Sequence, residues 1–208
     1  IELFYDLFAQ QKLDFAQEGQ RPSDYIQHFY DQFPALLLEI PKRFAETSSQ
    51  HLKEKLLICL AHRKSPLALE LQAFILQQFI FSSETPPQPI FYCCLNALGQ
   101  CKNITVPEHI ILQIKSLLHH DDVWYVPMDS MMTLSQLGVR EAWFKQHLLD
   151  ALDDPYGCDD LTPQGTSIEI LTRWGNDGLY ATDKITQILQ QAIQENDQES
   201  VANLTIYM

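Results

Sequence analysis

The residues of this chain that could do chemistry sit mostly in its second half. His119-His120-Asp121-Asp122 places two imidazoles beside two carboxylates, a set that suits a transition metal. The spacing does not suit one. Metal ligands on a helix recur at i, i+3 or i+4, where they share a face, whereas immediate neighbours point apart, and no second His-acid pair answers this one. A histidine at a helix C-terminus is also favoured by the dipole alone. Asp153, Asp154, Asp159 and Asp160 supply oxygens of the kind calcium takes, but without the 1-3-5-12 spacing of an EF-hand loop. The five cysteines, Cys59, Cys93, Cys94, Cys101 and Cys158, are odd in number and contain no Cys-x-x-Cys pair, so reduced, partly buried thiols and a reducing compartment are expected. No Gly-x-Ser-x-Gly, no phosphate-cradling glycine loop and no cysteine with a histidine partner occurs. No catalytic residue, metal or cofactor is expected, and the chain reads as a non-enzyme.

What remains is the chemistry of recognition. Acidic pairs punctuate the second half at Asp121-Asp122, at Asp153-Asp154 with Asp159-Asp160, and at Glu195 and Asp197. In a stack of equivalent turns they would line one edge as a negative ridge for Lys and Arg. The same residue types are also ordinary turn and N-cap formers. Trp124 and Tyr125 are of the types that dominate binding hot spots. Asp129, Met132 and Gln136, then Thr166, Glu169 and Arg173, fall opposite the apolar stripes of two successive helices. The candidates for touching a partner are therefore Asp121, Asp122, Trp124, Tyr125, Asp129, Met132, Gln136, Asp159, Asp160, Glu169 and Arg173.

Charge narrows the partner. The formal net charge is -13 over 208 residues. Residues 1–100 hold 11 acidic and 8 basic side chains, and residues 101–208 hold 16 and 6. Affinity for nucleic acid comes largely from Lys and Arg neutralising phosphates, so the second half would repel it. A protein with a basic surface would be attracted and steered. No apolar run reaches membrane-spanning length and no leader is evident, so a cytoplasmic protein is expected. The chain begins at Ile1 without a Met and ends at Tyr207-Met208 inside an apolar pattern, so both ends read as trimmed.

The elements that must position these residues are helical. Apolar residues recur at helical spacing almost throughout, and seven glycines supply few turns for a β protein. Leu3, Phe4, Leu7 and Phe8 predict one helix, and Tyr25 to Phe33 another. Pro34 and Pro41 break the stretch 34–46. Helices are then predicted from Ser48-Ser49 through Leu60, from Pro66 to Ile80, and over about 89–99, 107–118, 126–138, 140–152, 163–175, 181–194 and 198–208, with a Ser/Pro-rich loop between Ser82 and Pro89.

The later helices repeat. Val126, Ser130, Thr133, Leu134, Leu137 and Gly138 are each followed 37 residues on by Pro163, Ser167, Ile170, Leu171, Trp174 and Gly175. Ile114, Leu117 and Leu118 match Leu148, Ala151 and Leu152 at an offset of 34, and these match Leu189, Ala192 and Ile193 at 41. Turns absorb the difference, where insertion costs little. The serines stand where helices approach closely, and Gly138 and Gly175 stand where a left-handed cap is needed. Gly99, after Leu95-Asn96-Ala97-Leu98, repeats that signature less cleanly. A hairpin this small cannot bury both apolar faces alone, but stacked copies share one core.

The stretch Leu117-Leu118-His119-His120-Asp121-Asp122-Val123-Trp124-Tyr125-Val126, with Ser130, Leu134 and Gly138 after it, resembles the unit of the HEAT-repeat family. The resemblance covers roughly residues 50–208 and is best over 107–193. It implies an all-α, right-handed α-solenoid of about five stacked hairpins in a single continuous domain. Residues 1–50 would be an atypical cap, residues 51–208 the repeats, and 107–138, 140–175 and 181–208 the best units. The family places Arg directly after the Val, where Pro127 and Gln164 stand here, so the acidic turns would be less neutralised. The resemblance also implies a concave partner-binding face along the second helices. On that basis the chain is expected to be a non-enzymatic protein-binding scaffold, in its sharpest form a bacterial immunity-type protein that neutralises a basic toxin. HEAT-like DNA alkyl-base glycosylases use Trp, Asp and basic residues on a concave surface, but six cations against sixteen carboxylates in residues 101–208 oppose that alternative. A HEAT-like bilin lyase or cofactor-handling chaperone is implied by the fold alone.

Overall fold

In a computed structural model of the protein, the residues described are 34–61, 67–82, 89–119, 125–154, 162–197, 200, 201 and 205. The helices expected at Leu3–Phe8 and Tyr25–Phe33 lie outside them. Among the described residues the fold is all-helical, with no strand. The helices are α1 (Ile40–Glu46), α2 (Gln50–Ala61), α3 (Leu69–Ser82), α4 (Pro89–Leu98), α5 (Glu108–Leu117), α6 (Val126–Gln136), α7 (Ala142–Ala151), α8 (Pro163–Arg173) and α9 (Thr182–Gln194). Two 3-10 segments, Pro34–Glu39 and Gly175–Ala181, precede α1 and α9. No helix among the described residues is long and apolar enough to cross a membrane. The chain divides into two compact units, Ile1–Ile110 and Ile111–Met208.

In the first unit the prolines set the breaks. The 3-10 segment begins at Pro34, and Pro41 takes a first-turn position of α1, where its missing N–H has no partner to lose. The Ser49 hydroxyl then accepts from the Leu52 N–H (3.3 Å) and starts α2. α4 packs on both α2 and α3. The buried core holds Ile40, Phe44, Leu56, Leu57, Leu60, Leu71, Ile75, Phe79, Leu95 and Leu98, with the Phe79 and Phe91 rings 5.0 Å apart. Gln72 is wholly buried but fully engaged. Its Nε2 donates to the Leu67 carbonyl (2.7 Å), its Oε1 accepts from the Asn103 N–H (3.0 Å), and its own carbonyl accepts from the Cys101 thiol (3.7 Å). A buried amide without those partners would be costly. Burial also pushes the Cys101 thiol up to about 12, so it stays protonated at neutral pH.

The second unit centres on α8, which packs on α6, on α7 and on the 3-10 segment Gly175–Ala181. Thr162 caps α8, its hydroxyl accepting from the Gly165 N–H (3.1 Å), and Pro163 fills the first helical position. The residues 37 apart occupy corresponding places. Val126 and Pro163 open their helices. Ser130 and Ser167 are both at 0 % exposure, and Leu134 and Leu171 are buried. Gly138 and Gly175 follow their helices at φ +84 and +55. At Gly138 the Val139 N–H reaches the Leu134 carbonyl and the Gly138 N–H reaches that of Ser135, both at 3.1 Å, which satisfies carbonyls that would otherwise be orphaned.

Three features depart from the sequence reading. Gly99 has no positive φ. Instead the Gln100 and Cys101 N–H groups bond Ala97 and Leu98, three residues back, so α4 ends in a tighter turn that needs no left-handed residue. The stretch 175–181 is a 3-10 helix rather than a plain turn, because Gly178 lets it settle directly on the Leu171 carbonyl. Thr166, expected on the open face, is 4 % exposed, since α8 is packed on more than one side.

The glycines give a graded test. Gly138→Ala should cost about 1 kcal/mol, from the left-handed conformation alone, because a Cβ there would meet nothing. Gly178→Ala should cost more, about 1–3 kcal/mol, because its Cβ would strike the Leu171 backbone. Urea unfolding of the two variants measures the difference.

Candidate functional site

Trp174 organises the second unit. It ends α8 and reaches back to α6, where its Nε1 donates to the Ser135 hydroxyl (2.9 Å). Phe144 of α7 meets the indole edge-on at 5.8 Å. The Arg140 guanidinium lies 3.9 Å over the ring while donating to the carbonyls of Ser135 (3.2 Å) and Val139 (2.7 Å). Arg140 thus caps α6 and covers the indole at once. Burial lowers its pKa, and Asp177 and Tyr180 partly restore it. The Tyr180 hydroxyl, pushed up to about 12 by burial despite Arg140, donates to the Lys145 carbonyl (3.3 Å).

The predicted partner-binding residues divide three ways. Asp121, Asp122, Trp124, Asp159 and Asp160 lie outside the described residues. Tyr125, just before α6, is 37 % exposed. Asp129, Met132 and Gln136 on α6 and Glu169 on α8 are half-buried, and Arg173 is exposed. Among these the structure brings together Met132, Glu169 and Arg173. Arg173 pairs with Glu169 one turn back, and its Nη1 stands 3.5 Å from the Met132 sulfur. The face is a ladder, because Met132 and Glu169, and likewise Gln136 and Arg173, are 37 residues apart. Its charge is mixed rather than uniformly negative.

The described acidic turns also hold the chain together. Asp153 pairs with Lys184 at 2.6 Å. Asp197 accepts from the Ser200 N–H at 3.1 Å, and Glu195 accepts from Gln191 at 2.9 Å. Lys184 also donates to the Leu149 carbonyl (2.8 Å). Gln164, the residue standing where the resembled family has Arg, is buried and donates to the Leu152 carbonyl (2.7 Å). Both therefore act on the C-terminal end of α7, and Lys184 also meets the acidic turn that follows it.

Sequence reasoning missed three groups. His147 lies beside His119, with ring centroids 5.5 Å apart and planes nearly perpendicular. Their separation of 28 residues matches no local metal spacing, and among the described residues no group of three His, Cys, Asp or Glu side chains is placed to hold a metal. Burial lowers the His147 pKa, His119 lowers it further, and Asp150 opposes both. Ser135 and Arg140 gave no signal of their own, since their roles depend on Trp174. The third group is an open cleft of about 370 Å³ between α8, the 3-10 segment and α9, whose walls include Ile168, Leu171, Thr172, Leu179 and Ile185. Leu179 is 62 % exposed.

Comparison with family models, with curated proteins and with solved structures finds no match.

Two outcomes follow from this geometry. Ser135→Ala should destabilise the chain by about 1–3 kcal/mol, because it strands the buried Trp174 N–H, whereas Gln136→Ala should change stability by less than about 0.5 kcal/mol; urea melts measure both. The lowered His147 pKa means that the folded state binds fewer protons than the unfolded one. Its contribution is complete above about pH 6.5, the unfolded value, and is lost as pH falls from there through the folded value. His147→Gln should accordingly flatten the decline in stability below pH 6.5, measured as the difference from the parent chain across pH 5–8.

Proposed function

We propose that this chain is a non-catalytic, protein-binding scaffold built as an α-solenoid of stacked hairpins, and that its partner carries a basic surface. The observation that carries the reading is the 37-residue register between α6 and α8. Helix starts, buried serines, core leucines and left-handed glycines correspond pair by pair, and the outward residues Met132, Glu169 and Arg173 fall together on a shared face. A scaffold of equivalent helices gains a continuous binding surface from repetition. The excess of sixteen carboxylates over six cations in residues 101–208 supplies the attraction and speeds encounter. The partner class with the most to gain is a basic toxin, which the chain would neutralise as an immunity-type protein does. Cys59, Cys94 and Cys101 are buried, unbridged thiols, which supports a reducing compartment such as the cytoplasm.

The test is capture of the partner from extracts of the source organism, followed by association kinetics at rising salt. The on-rate should fall by about tenfold or more between 50 and 500 mM salt. Arg173→Glu together with Glu169→Lys should alter the affinity of the captured complex without changing the melting temperature. An on-rate insensitive to salt removes the electrostatic part. Binding to duplex DNA at physiological salt would instead favour a glycosylase-type enzyme.

A further inference from the structure

Two side-chain rungs one helical turn apart join α5 to α7. Lys115 of α5 lies 4.3 Å over the ring of Trp143 on α7. Four residues further along each segment, His119 meets His147, with ring centroids 5.5 Å apart and planes at 89°. His119 sits just beyond the last turn of α5 and is exposed, while His147 is half-buried. Beside the rungs runs the apolar stripe of α5, with Ile110, Ile114 and Leu118 buried. α6 and α7 each pack closely on α8, but α5 has no such close neighbour among the described elements. The division between the two units falls inside α5, so the chain enters the second unit along this helix.

Mild acid acts on only one of the two rungs. A lysine over an indole keeps its charge there, whereas two imidazoles in contact become like charges. Asp150, one turn beyond His147 on α7, opposes that repulsion, but it also accepts from the Gln146 amide (2.8 Å). The other charged groups on elements packed against α7 are engaged elsewhere. On α8, Glu169 and Arg173 pair with each other. Lys184 of α9 meets Asp153 and the Leu149 carbonyl. On α7 itself Lys145 lies over Tyr180, and Asp177 of the 3-10 segment acts on Arg140. His120, Asp121 and Asp122, next along the chain from His119, lie outside the described residues.

We propose that the His119–His147 contact is a pH-sensitive latch, closed while the imidazoles are neutral and released by mild acid, which frees the C-terminal turn of α5 from α7. The Lys115–Trp143 rung and the buried stripe hold the rest of the helix, so the opening is local and reversible. The closed contact binds fewer protons than the open one, because burial and the facing imidazole disfavour the His147 cation. A fall in pH below about 6.5, the value for a free imidazole, therefore favours opening. The device does not depend on what the chain binds.

Hydrogen exchange of the full chain, followed residue by residue at pH 7.5 and pH 5.5 and divided by each amide's intrinsic rate, is the test. The reporter is the Leu118 N–H, which bonds the Lys115 carbonyl (3.2 Å) in the turn that would open. The reference is the Leu134 N–H in α6, which registers any loosening of the unit as a whole. Between pH 7.5 and pH 5.5, protection at Leu118 should fall about fivefold or more relative to Leu134. His119→Gln changes an exposed residue, so the chain still folds, which its circular dichroism checks; it should remove most of that fall. His119→Asp sets a carboxylate against His147 and should reverse the response, with protection at Leu118 rising as pH falls. An equal loss at Leu118 and Leu134 overturns the proposal, because acid would then loosen the whole unit rather than one contact. So does an undiminished fall in His119→Gln, or a fall of the same sign in His119→Asp, because the facing imidazole would then have no part in it.

Discussion

Trp174 belongs in sequence to the end of one helix and in space to the end of another. Its indole N–H reaches the Ser135 hydroxyl across 39 residues of chain, with Phe144 at its edge and Arg140 on its face. Each neighbour supplies something the indole lacks: an acceptor, an apolar wall and a charge that tolerates the ring. A buried tryptophan needs a partner for its N–H, and that need fixes how far α8 slides along α6. Once the slide is fixed, Ser130 and Ser167 fall at the same depth, and the outward residues Met132 and Arg173 are brought within contact. The described helices α6, α7 and α8 meet at that crossing.

Its consequence for recognition is that surface chemistry follows core register. The outward face of α6 and α8 is not a field of bare carboxylates, because Glu169 is answered by Arg173. The described turn residues Asp153 and Asp197 likewise take part in holding the chain in place. Negative charge dominates composition, but the structure distributes it unevenly between caps, pairs and open positions. A long-range field from the excess acid can steer a partner, while contact specificity has to come from shape and from the few positions where apolar surface stays open.

Much of this arrangement was legible in the sequence, and for a physical reason. Helical spacing, proline breaks and left-handed glycines are local, so α6 to α9 begin within about two residues of where apolar periodicity places them. The 37-residue repeat located Ser130, Ser167, Gly138 and Gly175 because equivalent places in a packed pair demand equivalent volumes. What the sequence could not display were the pairings across space. Ser135 and Arg140 become important only when Trp174 arrives, and His147 only when His119 stands beside it. Thr166 read as solvent-facing on a lone helix but is covered because α8 has neighbours on several sides. Gly99 looked like its counterparts in pattern, yet the chain leaves α4 by a tighter turn. The cleft between α8, the 3-10 segment and α9 gave no signal either, because it depends on how those elements pack together.

The end of α7 shows what such pairings do to assembly. Its final carbonyls, from Leu149 and Leu152, accept from Lys184 and Gln164, which lie 35 and 12 residues further along. The negative pole of that helix is therefore completed by side chains synthesised after it. The last turn of α7 is thus coupled to α8 and α9: whatever loosens either later helix also takes an acceptor's partner away from the end of the earlier one.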